Sequence, residues 1–323
     1  MKVLIADKFA DHGVAAMKEA GCEVTVDPSL KDDALTQAIR EAQPEVLIVR
    51  STRVTAEMLD ASPAFRMVIR AGSGYDTIDV EAATKRNVRV CNCPGMNSVA
   101  VAELTLGLMI ALDRRIVDEA QDLRQGVWNK KEYSKARGLK GRTLGVIGLG
   151  RIGYEVAKRA KAFDMNLIYS DVIDYPQVEK ELGIRKVTME EVLKESDFIA
   201  LHVPGGEKTR HMISKAQFEM MKPTAFLINC ARGGIVDEVA LADAVNSGKI
   251  AGAALDVYEV EPAATDKDFK DPIIRVPRVY GTHHVGASTD QAQDAVGEEA
   301  VRIVRGLLDE GKFINCVNPP EGA

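Results

Sequence analysis

At 323 residues the chain is about twice the length of a usual domain, which predicts two domains. Hydrophobic residues at 46% and charged residues at 28% fit a soluble globular chain and exclude a largely disordered or collagen-like one. With 42 basic against 48 acidic residues the net charge is −6, without the basic excess that a phosphate backbone needs, so no nucleic-acid partner is expected.

The N-terminus, Met1 to Asp7, runs straight into a strand-like segment with no secretory signal pattern, and a cytoplasmic location is the expectation. Strands are predicted at Val3 to Ala6, Glu23 to Val26, Val46 to Val49, Met67 to Ile69 and Val88 to Cys91. Helices fall near Asp11 to Ala20, Asp32 to Ala42 and Ala56 to Ala61. Such alternation means parallel strands joined by crossovers. Ala100 to Gln125 has no proline and reads as one long helix, a connector between domains with a dimer face. Its apolar stretch, Leu104 to Leu112, is about half of what a bilayer span requires, and no membrane segment is expected.

A second strand-helix series begins at Arg142, with strands at Leu144 to Ile147, Leu167 to Tyr169, Phe198 to His202, Ala225 to Ile228, Ala253 to Leu255 and Val279 to Gly281. Helices are predicted at Ile152 to Phe163, Met189 to Lys194, Lys215 to Met220 and Glu238 to Val245. A final helix, Thr289 to Glu310, is placed back on the first domain. The expected architecture is α/β with two doubly wound parallel-sheet domains: residues 1–99 plus 288–323 form one, and residues 100–287 are inserted in it.

The five cysteines, Cys22, Cys91, Cys93, Cys230 and Cys316, are odd in number and read as reduced thiols. Cys91 and Cys93 lack the second pair that zinc needs, and His283 and His284 would aim in different directions on an extended chain, so no metal is expected.

Gly148-Leu-Gly150-Arg-Ile-Gly153 follows an apolar strand and opens a helix, and the next strand ends in Asp171. Gly148 permits the tight turn, Gly150 lets a pyrophosphate approach the backbone, and Gly153 lets helix and strand pack closely. Helix-start amides hold the anion. The Asp171 carboxylate suits a ribose diol and repels a 2′-phosphate, so NAD is the expected cofactor rather than NADP.

Three further pieces follow apolar strands: Asn229 to Asp237, Gly252 to Pro262, and His283 to Thr289. Ends of parallel strands converge where an open α/β sheet binds its ligand. A 2-hydroxy acid needs a cation for its carboxylate, a base for its hydroxyl proton and a group that fixes the base's tautomer. Arg232, His284 and Glu261 fit those roles.

These pieces, with Val49-Arg50-Ser51, Arg70-Ala-Gly72-Ser73-Gly74 and Asn97-Ser98, resemble the D-isomer-specific 2-hydroxyacid dehydrogenases over essentially the whole chain. The resemblance implies a Rossmann-type nucleotide-binding domain inserted in a flavodoxin-like substrate domain, a cleft between them and a homodimer. It implies catalysis by Arg232, Glu261 and His284. Cofactor contacts are implied at Ser73, Gly148, Gly150, Arg151, Ile152, Gly153, Asp171, Val203, Cys230, Ala231, Arg232, Asp256, His284, Gly286 and Ala287, with Asp256 at the nicotinamide carboxamide. Substrate contacts are implied at Arg50, Ser51, Arg70, Ser73, Gly74, Arg232 and His284.

The resemblance implies NAD-dependent oxidation of D-3-phosphoglycerate to its 2-oxo acid, the entry step to serine, and the guanidinium forks of Arg50 and Arg70 suit the phosphate of that substrate. A reductase of glyoxylate or hydroxypyruvate is the same-class alternative, and an NADH-sensing corepressor-like binding protein is the alternative of another class. His283 replaces the family's usual Pro, and Tyr75 and Thr77 replace the commoner Val and Asn, as in some hydroxypyruvate reductases. The chain stops soon after Asn315-Cys-Val-Asn318-Pro-Pro, so feedback by serine through a C-terminal domain is not expected.

Overall fold

Runs of aliphatic residues too apolar to face water on either side become short parallel strands. The computed structural model describes residues 1–262 and 268–320. It divides into two units, Met1–Asn97 with Ser288–Ala323, and Ser98–Ala287.

The first unit begins β1 (Lys2–Ile5), α1 (Asp11–Glu19), β2 (Glu23–Val26), α2 (Asp32–Ala42), β3 (Val46–Val49), α3 (Ala56–Asp60), β4 (Met67–Arg70), α4 (Val80–Lys85) and β5 (Arg89–Asn92). The strands are all parallel in the order β2-β1-β3-β4-β5, the flavodoxin-like arrangement. Every residue of β3 is buried, because Leu47 and Val49 pack on one face while Val46 and Ile48 pack on the other.

The second unit opens with α5 (Ser98–Arg114), α6 (Ile116–Arg124) and α7 (Lys130–Tyr133). Then come β6 (Thr143–Ile147), α8 (Arg151–Ala162), β7 (Asn166–Ser170), α9 (Pro176–Leu182), β8 (Arg185–Lys186), α10 (Met189–Glu195) and β9 (Phe198–Leu201). It closes with α11 (Lys215–Met220), β10 (Phe226–Asn229), α12 (Glu238–Asn246), β11 (Gly252–Leu255) and β12 (Val279–Gly281). Its parallel sheet runs β12-β11-β10-β9-β6-β7-β8. The order reverses between β6 and β9, the switch point where such sheets take a dinucleotide.

The chain then continues as α13 (Asp290–Glu310), capped by the Thr289 side chain, which accepts from the Ala292 amide. Its Ala300, Ile303, Val304 and Leu307 share a core with Val3 and Ile5 of β1.

The single long helix expected over Ala100 to Gln125 is two helices. Arg115 turns left-handed at φ 56°, and its guanidinium is held there by Asp118 at 2.9 Å and Glu132 at 2.6 Å. α5 is buried along one side through Ala102, Leu106, Met109 and Leu112, whereas α6 has no buried residue. All five cysteines are free. Among the described residues no group of side chains could hold a metal ion, and no helix is long and apolar enough to cross a membrane.

Candidate active site

The glycine turn lies between β6 and α8. Gly148 adopts φ 94°, and a Cβ there would come within 2.8 Å of the His202 carbonyl. A Cβ on Gly153 would overlap the Gly148 carbonyl oxygen, so helix and turn are in contact through their backbones. Gly150 differs: nothing lies within 4 Å of where its Cβ would be, and as N-cap of α8 it leaves the helix start without a side-chain cap. An open cradle over uncapped amides fits a dinucleotide pyrophosphate.

Arg151 and Ile152 begin α8, and Val203 packs beside Gly148. Asp171 follows β7, and its Oδ2 accepts from the Leu149 amide at 2.7 Å while Oδ1 accepts from Ile173 at 3.0 Å. The acid therefore reaches into the glycine turn itself. Cys230 and Ala231, at the end of β10, are buried, and burial pushes the Cys230 thiol up to about 12, leaving it inert.

Arg232, Glu261 and His284 come together after β10, β11 and β12. His284 donates through Nδ1 to Glu261 Oε2 at 2.7 Å, and Glu261 Oε1 accepts from the Tyr258 amide at 3.1 Å. The Arg232 stem lies against Gly205, and its charge acts on both partners of the pair. The hydrogen bond to Glu261 raises the His284 pKa against the opposing effect of burial. Burial pushes the Glu261 carboxyl up, but its bond to His284 and the neighbouring charges hold it below its ordinary value. With Nδ1 engaged, Nε2 is the nitrogen left to exchange a proton. His284 sits at φ 52°, a left-handed position sparse for side-chain-bearing residues and frequent at functional sites.

Asp256, expected as a cofactor contact, braces the site. Buried at the end of β11, it accepts from Thr282 Oγ1 at 2.6 Å, from the Val285 amide at 2.9 Å and from the Gly286 amide at 2.9 Å. It thereby holds both sides of the turn that presents His284, with Ala287 directly beyond.

The remaining expected residues belong to the first unit. Arg50 follows β3 and Arg70 ends β4, on neighbouring strands in which Val49 pairs with Arg70. Arg50 Nη2 donates to Ser288 Oγ at 3.3 Å. The Arg70 guanidinium lies over Gly72, where a Cβ would overlap it. Ser73 donates to Asn97 Oδ1 at 2.8 Å and accepts from the Gly95 amide at 3.1 Å, with Gly74 adjoining it.

Sequence reasoning missed Asp7. Its carboxylate accepts from the amides of Arg50, Ser51 and Thr52 at 2.7, 3.1 and 3.0 Å and pairs with Lys31 at 2.9 Å. The available signal was its position directly after an apolar strand, the same one that drew attention to Asp171. His202, after β9 and against Gly148, was missed as well; burial holds its imidazole neutral, with a pKa of about 3.

Residues 106–286 match the family model described as D-isomer specific 2-hydroxyacid dehydrogenase, NAD binding domain. The chain belongs to that family. It is 44% identical to a D-3-phosphoglycerate dehydrogenase of Methanocaldococcus jannaschii over 99% of its own length and 60% of that protein's. It is also 44% identical to a hydroxypyruvate reductase of Thermotoga maritima, over 88% of this chain and 90% of that one. A solved protein of Thermus thermophilus superposes with a TM-score of 0.87 at 33% identity, covering 98% of this chain and 100% of the other. The chain thus spans about 60% of the length of the phosphoglycerate dehydrogenase it matches.

Proposed function

We propose that the protein oxidises D-3-phosphoglycerate with NAD, the first unit binding the substrate and the second the dinucleotide. The observation that carries this reading is the His284–Glu261 pair beside Arg232, in a chain that also presents two arginines on adjacent strands of the first unit. NAD, which the turn of Gly148, Gly150 and Gly153 would hold, would supply a hydride acceptor for the carbon that bears the hydroxyl. His284 Nε2 takes the hydroxyl proton, Glu261 stabilises the resulting imidazolium, and Arg232 binds the substrate carboxylate. The turn held by Asp256 keeps the base in place. Asp171, followed by the uncharged and exposed Val172 and Ile173, disfavours a 2′-phosphate and supports NAD over NADP.

Arg50 and Arg70 take the substrate phosphate in this reading, with Ser51, Ser73 and Gly74 around them. Each arginine changed to alanine should lower kcat/KM for phosphohydroxypyruvate by roughly 30- to 150-fold and leave hydroxypyruvate almost unaffected. A parallel fall for both substrates, or a wild type indifferent to the phosphate, overturns the assignment. It then favours the second reading, a hydroxypyruvate or glyoxylate reductase. That reading draws support from the near-equal coverage with the Thermotoga maritima reductase.

We also propose a homodimer in the cytoplasm. Ile116, Val117 and Leu123 on α6 and the nearby Trp128, 80% exposed, form an apolar strip suited to a second copy. Sedimentation velocity reads the assembly directly.

A further inference from the structure

The edge of the seven-stranded sheet opposite the glycine turn holds a cavity of about 220 Å³. Its walls include residues that lead into strands, Arg142 before β6, Thr224 before β10 and Arg278 before β12, together with Arg115 and Arg137 from the segment around α6 and α7. Six lysines and arginines line it against two acids, in a chain whose net charge is −6.

Half of these cations, Arg115, Lys135 and Arg142, have a counter-charge, and Arg114 and Arg137 make no ion pair among the described residues. Asp113 bonds Arg142 at 2.7 Å, and Asp197 faces the same guanidinium at 4.0 Å. Asp118 and Glu132 bracket Arg115, and Glu132 also serves Lys135 at 2.5 Å. Arg278 combines two features that no other wall cation shares, since the Arg142 Nε is also buried without a partner but that guanidinium is ion-paired. Among the described residues Arg278 makes no ion pair, and its Nε is shut off from solvent with no hydrogen-bond partner. Its guanidinium lies 5.8 Å from the Phe226 ring centroid, as does that of Arg142, so one aromatic ring carries two cations. A buried guanidinium donor left unmatched is costly, and an anion in the adjoining cavity removes that cost.

We propose that this cavity is a binding site for a small oxyanion of two or more negative charges, a phosphate ester or a polycarboxylate, anchored by Arg278. The active-site residues follow the other ends of the same strands. β10 alone, four residues long, separates the two edges by about 13 Å, so a ligand here does not touch Arg232 or His284.

The test uses the full chain saturated with NADH, which fills the glycine turn, with inorganic phosphate and citrate as probes at ionic strength held constant with KCl. The expected result is a saturable rise in Tm from one or both probes; the stronger probe names the head group. Arg278→Met should weaken that binding about tenfold or more, while Arg278→Lys retains most of it. Arg137→Gln, at an exposed wall residue, should weaken it in the same direction without disturbing the fold. NADH affinity stays unchanged in all three. Unchanged anion affinity in Arg278→Met or in Arg137→Gln overturns the proposal. So does a response that NADH abolishes, or one no greater than that of KCl.

Discussion

The Arg50 to Thr52 loop of the first unit and the Thr282 to Gly286 turn of the second both follow a parallel strand and both hang on an aspartate, yet they are braced differently. Asp7 takes three backbone amides and a lysine. Burial alone would raise its pKa, but the bonds from the Arg50 amide, Lys31 and Thr52 outweigh it and hold the carboxyl at about 2. Asp256 takes two amides and a hydroxyl, with no lysine or arginine pair among the described residues. The charge on that turn is instead His284, which Glu261 grips from a separate segment. In the proposed function the anion of the substrate falls to the loop braced by Asp7, whose carboxyl is held at about 2. Proton exchange requires a group whose charge does change, on a turn rigid enough to aim it.

Removing the titrating group breaks the comparison most severely. His284→Ala should lower kcat by about 10²- to 10⁴-fold for every substrate, since it removes acid-base help but no contact to the pyrophosphate. NADH affinity, read by cofactor titration beside stopped-flow turnover, should stay near that of the wild type. Turnover close to normal would move the role to His283.

Much of this arrangement is written locally. The apolar runs at Val46 to Val49 and Glu238 to Val245 fall within one residue of the observed elements because burial on two faces, or amphipathic spacing, leaves few alternatives. Gly148, Gly150 and Gly153 carry their backbone demands in their identity. The break at Arg115 is not legible, because an arginine gives no sign of a left-handed turn and the stabilising Glu132 lies 17 residues away. The bracing by Asp7 and Asp256 is hidden for a similar reason. Their partners are mostly backbone amides some 30 to 45 positions on, which any residue supplies. The short helices α4 and α9 go unread although α3 and α10, of five and seven residues, do not, so shortness alone does not hide them.

The first loop breaks at its aspartate. Asp7 has a folded pKa of about 2 against an ordinary value of 3.8, so its contribution to stability is present above the ordinary value and is lost as pH falls toward 2. Asp7→Asn should therefore cost about 2 kcal/mol at pH 7, with the difference from wild type shrinking through the acid range. Urea melts at pH 7 and near pH 2.5 measure it. A deficit equal at both pH values would mean that shape, not the carboxylate charge, holds the loop.

The smallest expected effect sharpens the comparison most, because it moves a titration rather than removing a group. His284 has a raised pKa, chiefly from its hydrogen bond to Glu261, with burial opposing and the Asp256 charge assisting. The stabilising pair is complete below the ordinary histidine pKa and is lost as pH rises through the raised value. In the proposed function, run in the direction of 2-oxo acid reduction, the imidazolium is the proton donor, so kcat/KM should fall along that same alkaline limb. Glu261→Gln keeps a hydrogen-bonding group of the same size but removes its charge, so burial then dominates and the His284 pKa drops. The limb should move to lower pH. The Asp7→Asn variant, assayed alongside, should leave the limb in place because its carboxylate braces another loop. A limb unmoved in Glu261→Gln would show that the rate does not follow His284 titration under Glu261 control. An equal shift in Asp7→Asn would show instead that the two braced loops are coupled.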